Sequence, residues 1–485
     1  MQLTIIKMPF KRQLTPGKLK NSFGTLALFA LDLATLLFIF FASALLRKFI
    51  LPLAFTSLPP FEYQASFYWW VFAVWLLVML YRDGYSRRFA TWDEVKFVWE
   101  SAFFATLAVL SMLFLMKRGQ EYSRILVGTM FALAVILQPL LRLRAKKLLY
   151  SRGFMLRKAL IIGSGETARS VYAAISNEPN LGYEIAGFVD DSPGEIDCYK
   201  VHQGISGVGR YIKAADIHDV VVAKPELPKD ELVKLVSEIQ HKADNTLFIP
   251  DISGIAVSGT ELRHFFKEQT MIIEVRNNLA NPLNYLTKRF IDYSAGLAVF
   301  LLSLPLLAYI ARRIKKDSPG PAMLKQERIG KDGRTFMCYK FRTMYEDAEE
   351  RLKEILATDP EAKEEWEKYW KLKNDPRITK VGGWLRSSSL DELPQVLNIL
   401  KGEMSLIGPR PYLPREQEFL AEEAHTILRL PPGITGLWQV SGRSNTDYNF
   451  RLAMDSWYVK NWDLWLDVMI VFKTIGVVLN REGAR

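Results

Sequence analysis

Cysteine and histidine are scarce in this chain. Its 485 residues include two cysteines, Cys198 and Cys338, and five histidines. Two distant cysteines argue against a disulfide framework or a cysteine metal site, and they suit a reducing compartment for the soluble parts. Because His425 is the only histidine after residue 264, histidine-based acid–base catalysis is not expected in the C-terminal part.

Two further patterns are absent. Conventional metal-dependent glycosyltransferases carry an Asp-x-Asp motif, and no two aspartates of this chain lie two residues apart. No signal peptide is expected, because the first apolar segment is long and no small-residue cleavage pattern follows it closely. Neither a secreted protein nor a glycosyltransferase of that kind is therefore predicted.

Apolar and basic residues, by contrast, are abundant together. Hydrophobic residues make up 49% of the chain and the formal net charge is +11, a combination that membrane segments with basic flanks explain. The length predicts about two to four domains. Apolar stretches that approach the roughly 20 residues needed to cross a bilayer occur at residues 23–46, 66–81, 101–116 and 126–141.

The number of lysines and arginines alternates between these stretches. It runs 5, 2, 4, 3 and 7 from the N-terminal tail to the segment after the fourth stretch. Cytoplasmic loops carry the excess of positive charge. The N-terminus, the second loop and everything after residue 142 are therefore predicted to be cytoplasmic.

A fifth apolar segment, residues 293–311, has basic residues on both sides, among them Lys288 before it and Lys316 after it. Such flanks are unfavourable for a spanning helix because one cluster would have to cross the bilayer. Ser303 and Pro305 break its middle, where proline removes a helix hydrogen bond and forces a bend. We expect a re-entrant helix over residues 289–316, and the alternative is an ordinary spanning or buried helix with a proline kink.

Residues 157–255 alternate β-rich and helical segments. A β-rich run leads into Gly163-Ser164-Gly165, and Asp190 lies near the end of the next run. Strand, glycine turn, helix and strand form the context of a Rossmann-like dinucleotide fold. Ala168 replaces the third glycine and the acidic residue comes late, so the pattern predicts the fold without predicting a bound nucleotide.

A pair of adjacent carboxylates is the most informative feature of the chain. Asp391 and Glu392 lie near a predicted helix start, with Arg386 before them and Arg410 after them. Carboxylates between arginines, followed by a Gly-Pro-Arg-Pro turn, predict a site for a phosphate and its metal. The alternative is a capping box, in which Ser389 and Glu392 only satisfy backbone donors.

A carboxylate can itself attack phosphorus and form an acyl phosphate. It must be ionised, which a helix N-terminus and nearby arginines would favour. Mg²⁺ would draw charge from the phosphate oxygens, and oxygen ligands suit it. The cations available for a diphosphate are Lys340, Arg342, Arg386, Arg410 and Arg443. The sequence therefore predicts phosphoryl transfer at a membrane surface.

Several motifs together resemble a known family, the bacterial polyprenyl-phosphate sugar-phosphate transferases of the monotopic type. The four spans and the Rossmann-like domain extend the resemblance to the whole chain, toward the large undecaprenyl-phosphate galactose-1-phosphate transferases that start O-antigen and capsule repeat units. The motifs are residues 340–344, 375–379, 389–395, 401–411 and 432–443, preceded by the Ser303–Pro305 break.

The resemblance implies a reaction in which Asp391 attacks the β-phosphate of a UDP-sugar with Mg²⁺, UMP leaves, and the phosphosugar passes to undecaprenyl phosphate. Asp391 would be nucleophile and metal ligand, and Glu392 a catalytic acid/base or a support for the metal. Asp375, Arg377 and Gln439 would support the site. The sugar is left open by the motifs, and galactose follows only from whole-chain similarity.

The resemblance also implies a location and partners. The protein would be a multi-pass homodimer in the bacterial inner membrane, in contact with its lipids, with the catalytic domain on the cytoplasmic face. No nucleic-acid partner is expected.

The predicted fold is thus membrane α plus α/β. A four-helix transmembrane bundle would occupy residues 1–150, and a Rossmann-like α/β domain with a regulatory or structural role residues 151–280. A phosphoglycosyl transferase catalytic domain would occupy residues 281–485. It would be mostly helical with some α/β structure and would begin with the re-entrant helix.

Two other functions remain open from the residues alone. A membrane-anchored nucleotide-sugar dehydratase or epimerase also joins four spans to a Rossmann domain, and Tyr369 and Lys373 match its Tyr-x-x-x-Lys spacing. No glycine-rich strand–helix turn precedes that pair, which argues against this alternative. A non-catalytic membrane scaffold of polysaccharide assembly would keep the spans, but it has no use for Asp391 and Glu392 flanked by arginines.

Overall fold

The protein divides into two compact units, an N-terminal unit of residues 1–251 and a C-terminal unit of residues 252–485. The membrane helices and the sheet that follows them belong to the same unit. A computed structural model describes residues 16–55, 58, 68–116, 123–192, 195–196, 199–250, 261–265, 270–274, 278–369, 372, 375–420, 423–441 and 448–479.

Apolar helices begin the N-terminal unit. They are α1 (Pro16–Leu45), α2 (Leu51–Ala54), α3 (Trp69–Tyr81), α4 (Thr91–Leu115) and α5 (Arg124–Ser151). A π-helical turn, Leu46–Ile50, joins α1 to α2, so that Lys20–Ala54 is one apolar helix. This helix, α4 and α5 are long and apolar enough to cross a membrane, whereas α3 has 13 residues, short of the roughly 20 required.

Buried charges join these helices to one another. Arg142 of α5 donates to Glu94 of α4 at 2.5 Å and pairs with Asp32 of α1, and the three side chains are at most 2% exposed. Lys146 donates to the other Glu94 oxygen at 2.5 Å. Each charge has a partner, the condition under which burying ions is tolerated. Arg142 and Lys146, both counted toward the predicted orientation, are therefore structural groups inside the unit.

A mostly parallel sheet follows the membrane helices. Its strands are β1 (Arg157–Ile162), β2 (Tyr183–Asp190), β3 (Glu195–Ile196), β4 (Tyr199–Gln203), β5 (Asp219–Val222) and β6 (Asn245–Phe248), and its helices are α6 (Glu166–Ser176), α7 (Val208–Ala214) and α8 (Lys229–Gln240). The order is β3-β4-β2-β1-β5-β6, parallel except between β3 and β4. Ile212 and Ile239 pack α7 and α8 on one face, and Ala168 packs α6 on the other. The result is the predicted α/β class.

The glycine turn after β1 is tightly packed. Gly163 has φ +121°, and a Cβ there would lie 2.6 Å from the carbonyl oxygen of Ala223, so the position requires glycine. Asp190, at the end of β2, accepts hydrogen bonds from Ser164 Oγ and Lys224 Nζ, both at 2.7 Å. Burial would raise the pKa of Asp190, but these donors outweigh it and lower the pKa to about 2. In a dinucleotide-binding domain this carboxylate would accept a hydrogen bond from a ribose hydroxyl. Here, Asp190 is instead bound by side chains of the protein itself.

The C-terminal unit combines a long apolar helix with short strands and helices. Two antiparallel pairs, β7–β8 and β9–β10, and one parallel pair, β11–β12, are joined by helices, in agreement with a mostly helical domain with some α/β structure. The strands are β7 (Glu261–Phe265), β8 (Thr270–Glu274), β9 (Met323–Ile329), β10 (Thr335–Phe341), β11 (Ser405–Ile407) and β12 (Gly433–Thr435). The helices are α9 (Pro282–Asp317), α10 (Ala348–Thr358), α11 (Pro360–Tyr369), α12 (Lys380–Ser388), α13 (Val396–Leu400), α14 (Gln417–Leu420), α15 (Ala424–Ile427), α16 (Leu437–Ser441), α17 (Tyr448–Lys460) and α18 (Leu464–Leu479).

Helix α9 runs through both residues that were predicted to break it. Asn281 caps its start by accepting a hydrogen bond from the Leu283 N–H at 3.0 Å, and Pro282 takes the first helical position. The helix continues for 36 residues through Ser303 and Pro305, and it too is long and apolar enough to cross a membrane. A change of direction at Pro305 would therefore be a bend within a helix and not a loop.

Charged side chains hold the first part of α9 to its unit. Asp292 accepts hydrogen bonds from Ser405 Oγ at 2.8 Å and from the Leu406 N–H at 3.0 Å. Lys288 donates to Asp467 of α18 at 2.8 Å, and the whole Lys288 side chain is 2% exposed. Lys288, which was counted as a basic flank of the membrane segment, is therefore a buried and neutralised anchor.

Candidate active site

A sharp change of backbone direction places Asp391 and Glu392. Helix α12 ends at Ser388, and Ser389 adopts the left-handed region with φ 57°. The chain then enters a 3₁₀ helix, Leu390–Gln395, whose first turn carries both carboxylates. The carboxylates thus lie at the start of a short 3₁₀ helix and not of the α-helix that the sequence suggested.

The capping box at this position is not formed. Ser389 makes no side-chain capping bond, and Glu392 Oε1 instead accepts a hydrogen bond from Lys340 Nζ at 2.7 Å. The Lys340 and Glu392 side chains are 22% and 34% exposed, so the ion pair can be reached from solvent. Glu392 is therefore tied to the predicted phosphate-binding lysine.

Asn398 sets the distance between Lys340 and the carboxylates. Its side chain is fully buried on α13 and accepts a hydrogen bond from the Tyr339 N–H at 3.0 Å. Its amide also donates to the Met337 carbonyl and to Glu403, both at 2.7 Å. Because α13 follows the 3₁₀ helix directly, these bonds fix β10 against the segment that carries Asp391.

The surroundings of Asp391 shift its pKa in opposite directions. Burial raises its pKa above the usual range and the Glu392 carboxylate adds to the rise, while Lys340 and Arg386 act in the opposite direction without outweighing them. Arg386 thus favours the ionised carboxylate as the sequence predicted, but burial and Glu392 outweigh it. A further positive charge at the carboxylates would act with Lys340 and Arg386 to lower the pKa.

A second charged group lies beside Asp391. Arg386 Nε donates to Thr343 Oγ1 at 3.0 Å. Burial lowers the pKa of Arg386, and the carboxylates of Asp391 and Asp375 oppose the shift. Arg377 donates a bidentate pair of hydrogen bonds to the Asp375 carboxylate, from Nε at 2.8 Å and from Nη2 at 2.6 Å, a geometry specific to arginine. Arg386 thus interacts with Asp391 on one side and with the Asp375–Arg377 pair on the other.

Arg342 is differently engaged. Its guanidinium is nearly buried and donates to the Ser318 carbonyl and hydroxyl, both at 2.9 Å, and to the Pro319 carbonyl. These bonds close the end of α9 against β10. Arg342 would have to release them to bind a phosphate, and its role as a ligand stays a prediction.

Arg410 shares its region with an arginine that the sequence analysis missed. Its guanidinium lies over the Trp438 ring at 5.5 Å from the centroid. Arg328, on β9, is buried; burial lowers its pKa and Arg410 adds to the fall, while Glu392 opposes it. Two neighbouring cations, one of which interacts with Glu392, favour an anionic ligand. The sequence feature that could have identified Arg328 is its position in a charged Glu-Arg pair just before a predicted hairpin turn.

Asp455 was also missed, and it holds the backbone of the Arg410 turn. It is fully buried on α17 and accepts hydrogen bonds from the Arg410 N–H at 2.9 Å and from the Tyr412 hydroxyl at 2.7 Å. Burial raises its pKa to about 7 against the opposing effect of these bonds. A single aspartate in a helix gives no motif, so only the fold reveals its partners.

The remaining predicted residues are less informative. Gln439 Nε2 donates to the Ile434 carbonyl at 3.2 Å and so links α16 to β12. Ser303 Oγ donates to the Phe300 carbonyl at 3.1 Å within α9. Arg443, and Lys373 of the Tyr-x-x-x-Lys spacing, lie outside the described residues.

The donor set fits a magnesium ion that substrate helps to hold. Among the described residues, no group of three or more His, Cys, Asp or Glu side chains could hold a metal. Mg²⁺ usually takes one or two carboxylates and fills its other positions with water and substrate phosphates. Asp391 and Glu392 supply two such carboxylates, and the raised pKa of Asp391 reflects their mutual repulsion in part.

A carboxylate pair among cations, in a unit that also carries an apolar membrane helix, defines an enzyme of phosphoryl transfer at a membrane. The chain belongs to the bacterial sugar transferase family, whose model matches residues 283–481. A second model, of a CoA-binding domain, matches residues 80–250. The family membership sets aside both the dehydratase or epimerase and the non-catalytic scaffold.

Individual relatives cover most of the chain. It is 39% identical over 415 residues, 84% of this chain and 87% of the relative, to an uncharacterized sugar transferase of Haemophilus influenzae. It is 37% identical over 413 residues, 84% and 86% of the two chains, to the undecaprenyl-phosphate galactose phosphotransferase of Salmonella typhimurium. The exopolysaccharide production protein ExoY of Rhizobium meliloti is 46% identical over 203 residues, 42% of this chain and 90% of ExoY.

Proposed function

We propose that this enzyme is an undecaprenyl-phosphate hexose phosphotransferase that uses a UDP-sugar. It transfers hexose 1-phosphate, with galactose as the first sugar to test, to undecaprenyl phosphate and releases UMP. The product, undecaprenyl diphosphate bearing one sugar, starts a repeat unit of O-antigen, capsule or exopolysaccharide. The relative from Salmonella typhimurium, similar over 84% of this chain, supports both the reaction and the sugar.

The observation that carries the proposal is the setting of Asp391. This half-buried carboxylate lies beside Glu392, and Lys340 and Arg386 act on it electrostatically. A nucleophile at phosphorus needs one reactive oxygen and nearby cations for the phosphate oxygens. Arg328, which interacts with Glu392, and its neighbour Arg410 add positive charge that could face the oxygens of a diphosphate.

In the first step, an Asp391 carboxylate oxygen forms a bond to the β-phosphorus of the UDP-sugar. The bond from that phosphorus to the oxygen bridging it to the α-phosphate breaks, and UMP leaves with the electron pair. Lys340, held by Glu392 at 2.7 Å, is placed to bind an oxygen of the transferred phosphate. The enzyme then carries the sugar phosphate as an acyl phosphate on Asp391.

In the second step, a phosphate oxygen of undecaprenyl phosphate attacks the same phosphorus. The bond between phosphorus and Asp391 breaks, which regenerates the carboxylate and forms the diphosphate link. Bound Mg²⁺ would supply charge neutralisation for the diphosphate oxygens and lower the pKa of Asp391. Asp391 and Glu392 are the residues that would hold it.

The acceptor is a lipid, and the topology of α9 decides how it reaches Asp391. Asp292, near the start of α9, binds Ser405, whereas Ile310, near its end, packs with Leu385 of the same unit. Between Asp292 and Ile310 a straight helix would rise about 27 Å, close to the roughly 30 Å of a hydrocarbon core. Because one compact unit holds both ends, we propose that α9 bends at Pro305 and re-enters the cytoplasmic face of the inner membrane.

This topology can be tested by labelling in intact cells. Thr287 and Lys316 are exposed at the two ends of α9. Thr287→Cys and Lys316→Cys, in a protein with Cys198 and Cys338 replaced by serine, should both react only from the cytoplasm. Reaction of one of them from the periplasm would establish a spanning helix.

The N-terminal unit is proposed to serve regulation or assembly. Its sheet is mostly parallel and flanked by helices, yet Asp190 is already bound by Ser164 and Lys224. We further propose that the enzyme works as a homodimer. Crosslinking in membranes, followed by size analysis in detergent, tests this state.

The function itself is tested by UMP release. Purified protein should release UMP from a UDP-sugar in the presence of undecaprenyl phosphate and Mg²⁺, and a panel of UDP-hexoses identifies the sugar. EDTA and Asp391→Asn should each abolish release, whereas Asp347→Asn, at an exposed aspartate, should not. A fully active Asp391→Asn protein would contradict the proposal.

A further inference from the structure

A cavity of about 510 Å³ with several charged residues in its lining lies in the N-terminal unit, between the membrane helices and the sheet. One wall comes from the first turns of α1, with Asn21 and Thr25, and from the end of α5, with Tyr150. The opposite wall comes from the start of β1 and β5. The cavity therefore adjoins the ends of two helices that are long and apolar enough to cross a membrane.

The wall of this cavity is mainly positive. Its charged lining consists of Arg87, Arg88, Lys146 and Arg157 with a single acid, Asp244. Three of the four cations already have protein partners: Arg88 donates to the Met155 carbonyl, Lys146 to Glu94, and Arg157 pairs with Asp219. Arg87 is exposed and forms no ion pair with another described residue, so its charge is available to a ligand.

His218 supplies a second and independent observation. Its side chain is 9% exposed and lines the cavity at the start of β5. Neither ring nitrogen has a hydrogen-bond partner among the described residues, although buried polar groups are nearly always satisfied. A neutral imidazole needs one acceptor for its N–H and one donor for its bare nitrogen.

We infer that this cavity binds an anionic phosphate ester that also carries a hydroxyl group. The phosphate would accept hydrogen bonds from Arg87 and from the His218 N–H, and the hydroxyl would donate to the other His218 nitrogen. Basic pockets beside membrane helices are suited to lipid headgroups, and the volume is within the usual range for small ligands, about 300–1,000 Å³. The site is independent of the transfer reaction, whose residues all lie in the C-terminal unit.

The ligand chemistry could come from a lipid or from a soluble metabolite. Phosphatidylglycerol offers a phosphodiester and glycerol hydroxyls, and glycerol 3-phosphate offers the same groups without acyl chains. The experiment is calorimetric titration of the purified full chain in detergent with dihexanoyl-phosphatidylglycerol and, separately, with glycerol 3-phosphate. Dihexanoyl-phosphatidylcholine, which has no net charge and no hydroxyl, is the control ligand.

The wild-type protein should bind at least one anionic probe saturably and the choline lipid at least tenfold more weakly. His218→Leu and Arg87→Gln should each weaken binding about tenfold, which corresponds to one lost charge-assisted contact of about 1.4 kcal/mol. The matched changes His241→Leu and Arg152→Gln, at exposed positions of the same unit, should leave binding unchanged.

The two arms identify the source. Tight binding of the glycerolipid alone assigns the site to the membrane, and equal binding of glycerol 3-phosphate assigns it to a soluble ligand. The inference is overturned if neither probe binds saturably, which would leave a water-filled cavity, or if the pocket variants bind as well as their controls. Arg87 is exposed, so Arg87→Gln remains informative even if His218→Leu unfolds the unit, which thermal unfolding would reveal.

Discussion

Asp455 provides a stability prediction that can be worked out from the structure. Its carboxyl is fully buried, and Oδ2 accepts both the Arg410 N–H and the Tyr412 hydroxyl, while Oδ1 has no partner within the described residues. The pKa rises from 3.8 to about 7 on folding, first because of burial. Each unit corresponds to about 1.4 kcal/mol, so the whole shift is worth about 4 kcal/mol.

The sign follows from which state holds the proton. Between pH 3.8 and pH 7 the folded protein keeps a proton on Asp455 that the unfolded chain has lost. Its contribution to stability is therefore complete below the lower value and falls as pH rises to the upper one. A change from pH 5 to pH 8 covers about the last two pH units of this range. The contribution of Asp455 to the unfolding free energy of the wild-type protein should therefore fall by about 3 kcal/mol.

Asp455→Asn keeps an acceptor oxygen but does not titrate. From pH 5 to pH 8, the variant should become more stable relative to the wild type by about 3 kcal/mol of unfolding free energy. Because 1 kcal/mol corresponds to about 2–4 °C in melting temperature, the difference between the two melting temperatures should change by about 6–12 °C. Thermal unfolding of both proteins at each pH gives this difference, from which all other titrating groups cancel. A difference that does not change with pH would refute the buried-carboxyl account.

Three further predictions concern the catalytic unit. Lys340→Met should lower kcat about 100-fold or more, because Glu392 loses its partner and the transferred phosphate a cation, and Lys340→Arg should retain more of the rate in UMP-release assays. Asn398→Ala removes three hydrogen bonds of a fully buried amide. It should destabilise the protein by about 2–4 kcal/mol in thermal unfolding. Asn398→Asp, in contrast, should retain the hydrogen bond from the Tyr339 N–H. A folded protein beginning at Asn281 should retain Mg²⁺-dependent UMP release, since ExoY is matched over 90% of its length by 42% of this chain; a folded but inactive truncation would place the N-terminal unit in the active site.

The sequence allowed prediction of what depends on local pattern. Hydropathy located the membrane helices, and alternating β-rich and helical runs located the parallel sheet. The adjacent pair Asp391 and Glu392 identified the candidate site because carboxylates between arginines match the needs of a phosphate and its metal. Lys340 followed from the same pattern, and its contact with Glu392 agrees with it.

What could not be predicted depends on contacts between distant segments. Lys288 was counted as a charge flanking a membrane helix, yet Asp467, far along the chain, buries and neutralises it. Arg342 was grouped with the phosphate ligands, yet it closes the end of α9 through Ser318. Nearby arginines were expected to favour the ionised form of Asp391, and Arg386 does act in that direction, but the burial that raises the pKa is not visible in the sequence.

The most direct test of the central claim is the covalent intermediate. Purified full-length enzyme would be mixed with Mg²⁺ and the UDP-hexose that supports turnover, without undecaprenyl phosphate, quenched in acid and measured by intact-protein and peptide mass spectrometry. The protein should gain one hexose phosphate, located on Asp391, and the adduct should disappear when undecaprenyl phosphate is added before the quench. Full turnover with no adduct at Asp391 in rapid-quench samples, or an adduct on another residue, would contradict the account.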